Sequence, residues 1–431
     1  MIISKEQIIN YFKSGIKERK SFKIGIEHEK FLFDNKNNKR ISYSKVKQMF
    51  TALIEFGWNP IYEKGNVIAL NKGGKNITLE PGNQIELSGD KLNNIHDACA
   101  ESNDYLFELR QVTKKIGINI VSAGFDPISK LDEIPNNPKE RYRLMTKDMP
   151  EGGELSLDMM YRTCGTQLNI DYDSEKDFVK KFKVVNSIVP IIIALFANSS
   201  IVEKKKSKFL SYRSKVWQNT SRGGLPKIFF EELDFEKYAE FIINYPILFI
   251  QDNKKYISGK KYTFKDFMNG KIIEIGKRLP NDSDLSTHLS TIFTENRLKK
   301  YIELRSMDTC GWDCLCAGPA FNIGLLYGNL DEVHELISKW DKDKIINAYL
   351  EAPQKGFNTQ LMGKDLLFWA SNLLDLSRKG LNKRDILNKS GKNETLFLNH
   401  LQKIIDNKTT NADHMMNRFS KNEDLSELYD K

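Results

Sequence analysis

Histidine and cysteine are scarce in this chain, at six and five of 431 residues. The scattered histidines offer no zinc cluster, no HExxH and no persuasive Ser-His pair. Five cysteines cannot make a dense disulfide framework at this length, and the odd count leaves at least one thiol unpaired, which fits a reducing compartment. With 26 glycines and 12 prolines, fibrous and low-complexity classes are excluded. Long hydrophobic runs are missing too. The longest, residues 188–197, is interrupted by Pro190 and falls short of the roughly 18 to 20 residues that cross a bilayer. At the N-terminus, Lys5, Glu6, Lys13, Lys17, Glu18, Arg19 and Lys20 break any signal-peptide stretch, so residues 1–20 read as an amphipathic helix and a cytoplasmic location without a membrane partner is expected. A phosphate loop is absent as well: Gly270-Lys271-Ile272-Ile273-Glu274-Ile275-Gly276-Lys277-Arg278 has the wrong glycine spacing and no Ser or Thr after its lysine, and no GxGxxG follows a strand.

What is present is a globular composition, 40% hydrophobic, 11% aromatic and 29% charged, long enough for one to three domains. No Ser- or Pro-rich linker divides it, so residues 1–431 are read as a single domain. The net charge of +9 permits nucleic acid, anionic lipid or a small multiply charged anion as partner. Lysine is spread along the whole chain. Its densest run, residues 203–208, has no interleaved aromatics and reads as a solvated loop, so no nucleic-acid partner is expected.

Periodicity predicts strands at residues 23–33, 67–71, 77–80, 84–88, 162–172 and 301–305, and helices at 91–116, 175–197 and 361–379. This order lacks a βαβ rhythm and favours an α+β fold. Residues 252–270 read as a hairpin arm turning at Ser258-Gly259, followed by a short helix capped by Thr263. Residues 407–431 read as a polar, loosely packed tail.

Carboxylates recur with strand spacing. In Gly25-Ile26-Glu27-His28-Glu29-Lys30-Phe31, alternation puts Glu27 and Glu29 on one face and His28 on the other. Two adjacent carboxylates repel unless water solvates them or a cation bridges them, and oxygen ligands suit Mg²⁺. Ile77-Thr78-Leu79-Glu80-Pro81-Gly82-Asn83-Gln84-Ile85-Glu86-Leu87-Ser88 reads as two extended pieces around a turn, with apolar positions flanking Glu80 and Glu86. Tyr301-Ile302-Glu303-Leu304-Arg305 and Thr166-Gln167-Leu168-Asn169-Ile170 alternate in the same way. Four strands thus each present one polar face, as in a polar cavity on a concave antiparallel sheet or in a solvated sheet. Arg141, Arg162, Arg213, Arg222, Arg297 and Arg305 stand out in a lysine-preferring chain, and arginine is the better fork for carboxylate and phosphate. Carboxylates for Mg²⁺ beside such arginines point to nucleotide chemistry; structural ion pairs are the alternative.

These motifs, with Glu86-Leu87-Ser88-Gly89, Met159-Met160-Tyr161-Arg162-Thr163-Cys164, Leu195-Phe196-Ala197-Asn198-Ser199 and Tyr212-Arg213-Ser214, resemble the glutamate–cysteine ligases of the plant and alphaproteobacterial type from about residue 5 to beyond residue 380. The resemblance implies a curved, mainly antiparallel sheet enclosing the active site with helices outside, similar to the glutamine synthetase and guanidino kinase cores. It implies ATP-dependent joining of the L-glutamate γ-carboxylate to the amine of L-cysteine, the first step of glutathione biosynthesis, by a monomer or weak homodimer. It makes Glu27, Glu29, Glu80, Glu86, Glu303 and Gln167 the expected Mg²⁺ ligands and Arg305 the contact of the transferring phosphate. Arg141, Arg162, Arg213 and Arg222 become candidates for binding ATP and glutamate. Plant relatives carry two regulatory disulfides; the arm here has no cysteine, leaving the counterpart of the second, Cys164 with Cys316. Two rivals stay open: a carboxylate–amine ligase with another acceptor, and a non-catalytic nucleotide- or nucleic-acid-binding protein.

Overall fold

The strand predicted at residues 23–33 forms in the computed structural model as β1, Ile24–Asp34. The structure describes residues 3–231, 233–253, 255–422 and 425–430. Alternation along β1 buries Ile24, Ile26, His28 and Lys30 and turns Gly25, Glu27 and Glu29 the other way. Six more strands follow: β2 (Asn59–Glu63), β3 (Asn66–Lys72), β4 (Lys75–Leu79), β5 (Ile85–Ser88), β6 (Ile118–Val121) and β7 (Gly165–Ile170). With the strands Asn296–Leu298 and Ile302–Asp308 they complete one nine-stranded sheet, whose path runs Asn296–Leu298, Ile302–Asp308, β7, β1, β5, β4, β3, β2. Each neighbouring pair is antiparallel, and β6 pairs with the second half of β1. The expected antiparallel α+β architecture is the one observed.

Apolar residues on one side of the sheet carry the helices. Ile24, Ile26, Leu168, Ile170, Ile302 and Leu304 share a core with Phe178, Phe182 and the Ile191–Leu195 turn, and Ile85 and Leu87 share another with Tyr105 and Leu109. The helix Ile95–Ile116 starts later than residue 91 because Asn94 caps it, its side chain accepting from the Asp97 N–H, and it ends at left-handed Gly117. The stretch predicted as one helix at 175–197 is two, Glu175–Ser187 and Val189–Leu195. Pro190, near the start of the second, has no N–H to continue the ladder of the first.

Two local readings are corrected. The arm forms as strands Phe249–Asp252 and Lys255–Ser258, but it turns near Asn253, not at Ser258-Gly259. Asn253 takes the left-handed backbone that the tight turn needs (φ 46°), while a Cβ on Gly259 would meet Ile247 at 2.3 Å, so that glycine serves close packing. The C-terminal residues are docked. In the helix Asn411–Asn422 and after it, Met415, Phe419 and Leu428 pack with Phe31 and Phe33, and the Asp430 carboxylate accepts from the Ser122 N–H at 3.0 Å. Sequence polarity concealed this because only a few positions of an amphipathic helix need to be apolar.

The cysteines pair differently from the implied scheme. Cys99 is bonded to Cys316, with Cα atoms 6.0 Å apart, and Cys310 to Cys314, while Cys164 is free and buried. The reason is topological: Cys164, beside β7, packs with Phe31, Phe33 and Val121, whereas Cys316 faces Cys99 on the helix Ile95–Ile116 in a different core. Four of the five cysteines are therefore paired, where a reducing compartment had been expected. Among the described residues no helix is long and apolar enough to cross a membrane. The docked terminus gives a stability prediction: Phe419→Ala should cost about 3 to 5 kcal/mol in chemical denaturation, as for other buried aromatic truncations, whereas a loose tail would leave stability unchanged.

Candidate active site

Register, more than any single residue, builds the site. Glu29 lies directly opposite Glu86 across β1 and β5, and Thr78 on β4 lies opposite Glu86 in turn. On the other side of β1, Glu27 is opposite Gln167 of β7, and Asn169 is opposite Glu303, which is opposite Arg297. A single polar row therefore crosses six strands. It is acidic toward β5 and cationic toward Asn296–Leu298. Glu80 joins from the turn after β4, where the Asn83 N–H returns to the Glu80 carbonyl at 2.9 Å. Gln84, two residues before Glu86, is buried and occupied: it accepts from the Gly82 N–H and donates to the Met160 and Thr163 carbonyls.

The row floors a cavity of about 240 Å³ that meets Glu27, Glu29, Glu80, Glu86, Arg141, Gln167, Arg297 and Arg305. Phe249 from the arm and Phe293 add apolar walls. Neutral donors partly satisfy the carboxylates. Glu29 accepts from the Gly165 N–H at 2.6 Å and Gln167 Nε2 at 3.1 Å, Glu27 from Asn169 Nδ2 at 2.6 Å, and Glu86 from Thr78 Oγ1 at 2.7 Å. Tyr142 donates to Glu80 at 3.2 Å. Burial and then the neighbouring Glu80 push the Glu29 carboxyl up to about 7. Burial, with Glu80, Glu27 and Glu29 behind it, holds Glu86 well above the ordinary range.

Glu303 has the opposite environment. Burial opposes its charge, but Arg297, Lys299 and Arg305 outweigh burial and hold it well below the usual carboxylate range. Arg297 grips both its oxygens, at 2.8 and 2.9 Å, Lys299 lies 2.9 Å away, and Arg305 pairs with Glu303 Oε1. Glu303 is thus engaged by three cations, although the family resemblance had grouped it with the expected Mg²⁺ ligands. Arg297 and Lys299 were legible only as cationic positions, because their convergence on Glu303 depends on a hairpin.

The remaining arginines separate. Arg213 is buried beneath the row, donating to the Arg305 carbonyl at 2.8 Å and leaving Nε and Nη1 without a protein partner among the described residues. Arg222 is spent on backbone: it donates to the Thr291 carbonyl and the Pro246 carbonyl at 2.9 Å each and to Thr291 Oγ1, pinning a segment that lines the cavity. Arg162 is not among the cavity residues; it pairs with Asp158 and Glu203 and stacks over Phe125. Gln167 Oε1, Asn169 Oδ1, Arg141 Nε and Arg305 Nε are also buried without a partner among the described residues. Acceptors and donors in one cavity suit a ligand carrying both cation and anion.

The model of glutamate–cysteine ligase family 2 matches residues 23–431. The chain belongs to that family. It is 38% identical over 423 residues to the chloroplastic glutamate–cysteine ligase B of Oryza sativa subsp. japonica, covering 97% of this chain and 84% of that one. It is 37% identical over 420 residues to the chloroplastic enzyme of Nicotiana tabacum, covering 96% and 79%. Among solved structures it resembles a glutamate–cysteine ligase from Francisella tularensis in complex with AMP, at TM-score 0.56 and 14% identity over 94% of this chain and 86% of that one. It also resembles a bifunctional glutathione synthetase from Pasteurella multocida, at TM-score 0.50 and 11% identity over 98% and 52%. Both likenesses concern the fold. Family membership makes this an ATP-dependent glutamate–cysteine ligase that forms γ-glutamylcysteine in glutathione biosynthesis. The cytoplasmic location is corrected by the same comparison, because the named relatives are chloroplastic enzymes.

The raised carboxyls set a pH dependence. A folded-state value near 7 for Glu29, above the ordinary carboxylate range, favours folding at low pH and loses that contribution as pH rises through 7. In chelator, the melting temperature should therefore fall between pH 5 and 8. Glu29→Gln should flatten that slope in differential scanning fluorimetry; a slope identical to wild type would refute the assignment.

Proposed function

We propose that this ligase activates the L-glutamate γ-carboxylate as γ-glutamyl phosphate and passes the acyl group to the amine of L-cysteine. A carboxylate is a poor acyl donor because oxide is a poor leaving group. Transfer of the ATP γ-phosphoryl group to a γ-carboxylate oxygen releases ADP and creates a mixed anhydride. The amine then forms the C–N bond, loses a proton and expels phosphate.

The observation that carries this reading is the row in which carboxylates give way to cations across adjacent strands. Glu27, Glu29, Glu80 and Glu86, with Gln167, offer an all-oxygen donor set, and two of the acids are raised by crowding and burial, so the residues fit Mg²⁺. Among the described residues no three His, Cys, Asp or Glu side chains converge as a ready-made metal site. When bound, Mg²⁺ would neutralise phosphate charge. Glu303, already gripped by Arg297 and Lys299, is better assigned to aiming Arg305 than to binding metal. Arg305, on the cavity, contacts the transferring phosphoryl group, and Arg213 supports its backbone from below.

A groove of about 450 Å³ shares Glu27 and Ser290 with this cavity and is lined by Lys17, Lys23, Lys299 and Lys300 together with Leu289 and Tyr301. It is the place for the nucleotide: lysines for phosphates, apolar side chains for the base, and an end that opens on the carboxylates. The acceptor is L-cysteine, as family membership indicates.

Arg305→Lys preserves a positive charge beside Glu303 but removes the guanidinium fork. It should remain folded while kcat falls on the order of 10³-fold, the scale of arginines that stabilise phosphoryl transfer. The assay is ATP, Mg²⁺, glutamate and a panel of amines, read by phosphate release and product mass. Near-normal turnover would remove Arg305 from the mechanism, and product with another amine but not cysteine would redirect the acceptor. Glu303→Gln should lose folding stability as well as activity, by about 3 to 5 kcal/mol, because buried cations lose their counter-ion.

A further inference from the structure

Away from the carboxylate row, five cations surround a second cavity. It has a volume of about 340 Å³ and is lined by Arg19, Lys20, Lys181, Lys383 and Arg384, against two acids, Asp177 and Asp331. Its walls come from the turn Arg19–Ser21, the helix Glu175–Ser187, the helix Leu366–Arg384 and the segment around Tyr327. Several cations have protein partners: Arg19 pairs with Asp173, Lys20 with Glu18, Lys181 with Asp177 and Arg384 with Glu394. Lys383 differs. Among the described residues it has no carboxylate within ion-pair distance and donates to Asn329 Oδ1 at 2.5 Å. Arg384 uses Nε for Glu394 and leaves a buried Nη2 without a partner. Lys181, 1% exposed, is held over the rings of Phe22 and Tyr327 at 4.3 and 4.9 Å.

We infer that this cavity is a second ligand site, specific for a small polyanion bearing phosphate or carboxylate groups. The volume is metabolite-sized. Lys383, which has no carboxylate partner among the described residues, and the unpartnered Arg384 Nη2 supply the free donors, and guanidinium and ammonium groups suit anionic oxygens. An uncharged or cationic ligand would leave the ammonium of Lys383 without an ionic partner. The site also shares a wall with the lysine-lined groove. Lys181 donates to the Asp171 carbonyl at 2.9 Å, and the Tyr327 hydroxyl accepts from the Asp171 N–H at 2.6 Å while donating to the Lys23 carbonyl at 2.8 Å. The Asp171 carboxylate in turn accepts from Lys17 at 2.5 Å and from the Lys23 N–H at 2.7 Å. Lys17, Lys23 and Asp171 all line the groove assigned to the nucleotide. An anion drawing on Lys181 therefore acts on the residue that positions two groove lysines. This coupling rests on the nucleotide assignment; anion binding itself does not.

The test is calorimetric titration of the whole protein, without divalent metal, with inorganic pyrophosphate in one arm and tricarballylate in the other. At least one should bind saturably, and the stronger arm tells phosphate from carboxylate recognition. The double variant Lys20→Ser/Lys383→Ser removes two cations remote from the carboxylate row. It should weaken that binding about fivefold, the scale of losing two partly exposed charge contacts, while KM for ATP without added anion stays at the wild-type value. Asp331→Asn, at an exposed acid, should strengthen binding about twofold and guards against misfolding of the double variant. No saturable binding of either anion below about 10 mM, equivalent to only a few kcal/mol of affinity, would overturn the site. So would equal affinity in wild type and both variants. If the anion binds as expected but leaves KM for ATP unchanged, the site stands and its coupling to the groove falls.

Discussion

Repulsion among like charges is the constraint around which the sheet is arranged. Glu29 and Glu86 face each other across adjacent strands, with Glu27 and Glu80 on the same cavity. Directly opposed like charges destabilise a strand pair. Here β1 is held regardless, because its other face buries Ile24, Ile26 and His28 against the helical layer and its edges are claimed by β5, β6 and β7. The apolar side of the sheet thereby enforces the geometry of the acidic side. Retained protons or a bound cation are the two ways to relieve it, and the upward shift of the Glu29 and Glu86 carboxyls favours the first.

The cationic end of the row obeys the complementary rule. Glu303 is buried, yet three cations hold it ionised, and one of them, Arg305, borders the cavity. A guanidinium fixed in this way is oriented before a ligand arrives. Arg213 below donates to the Arg305 carbonyl, and Arg222 donates to the Thr291 carbonyl. Both thereby brace backbone that borders the cavity.

Legibility followed range. Period-two alternation located β1, β5, β7 and the strand Ile302–Asp308, and it separated Glu27 and Glu29 from His28, which packs beside Tyr105 as a core residue. It missed β2, β6 and Asn296–Leu298, short strands whose identity comes from their partners. Gln84 shows the limit within a single turn: no local pattern reveals that three backbone groups take up its side-chain amide. Arg162 and Arg222 show it for charge, since an arginine in sequence does not reveal whether a carboxylate, a carbonyl or a substrate will occupy its fork.

What the sequence determined by itself was the set of polar strand faces, the family and the chemistry, because alternation and motif order are local and survive without coordinates. Which carboxylate meets which, why Glu303 belongs with cations, and why Cys316 pairs with Cys99 instead of Cys164 were decided by tertiary structure. Those facts depend on register and layer packing between segments as much as 217 residues apart. Long-range contacts of that kind are selected by the burial of a whole core, and no local pattern encodes them.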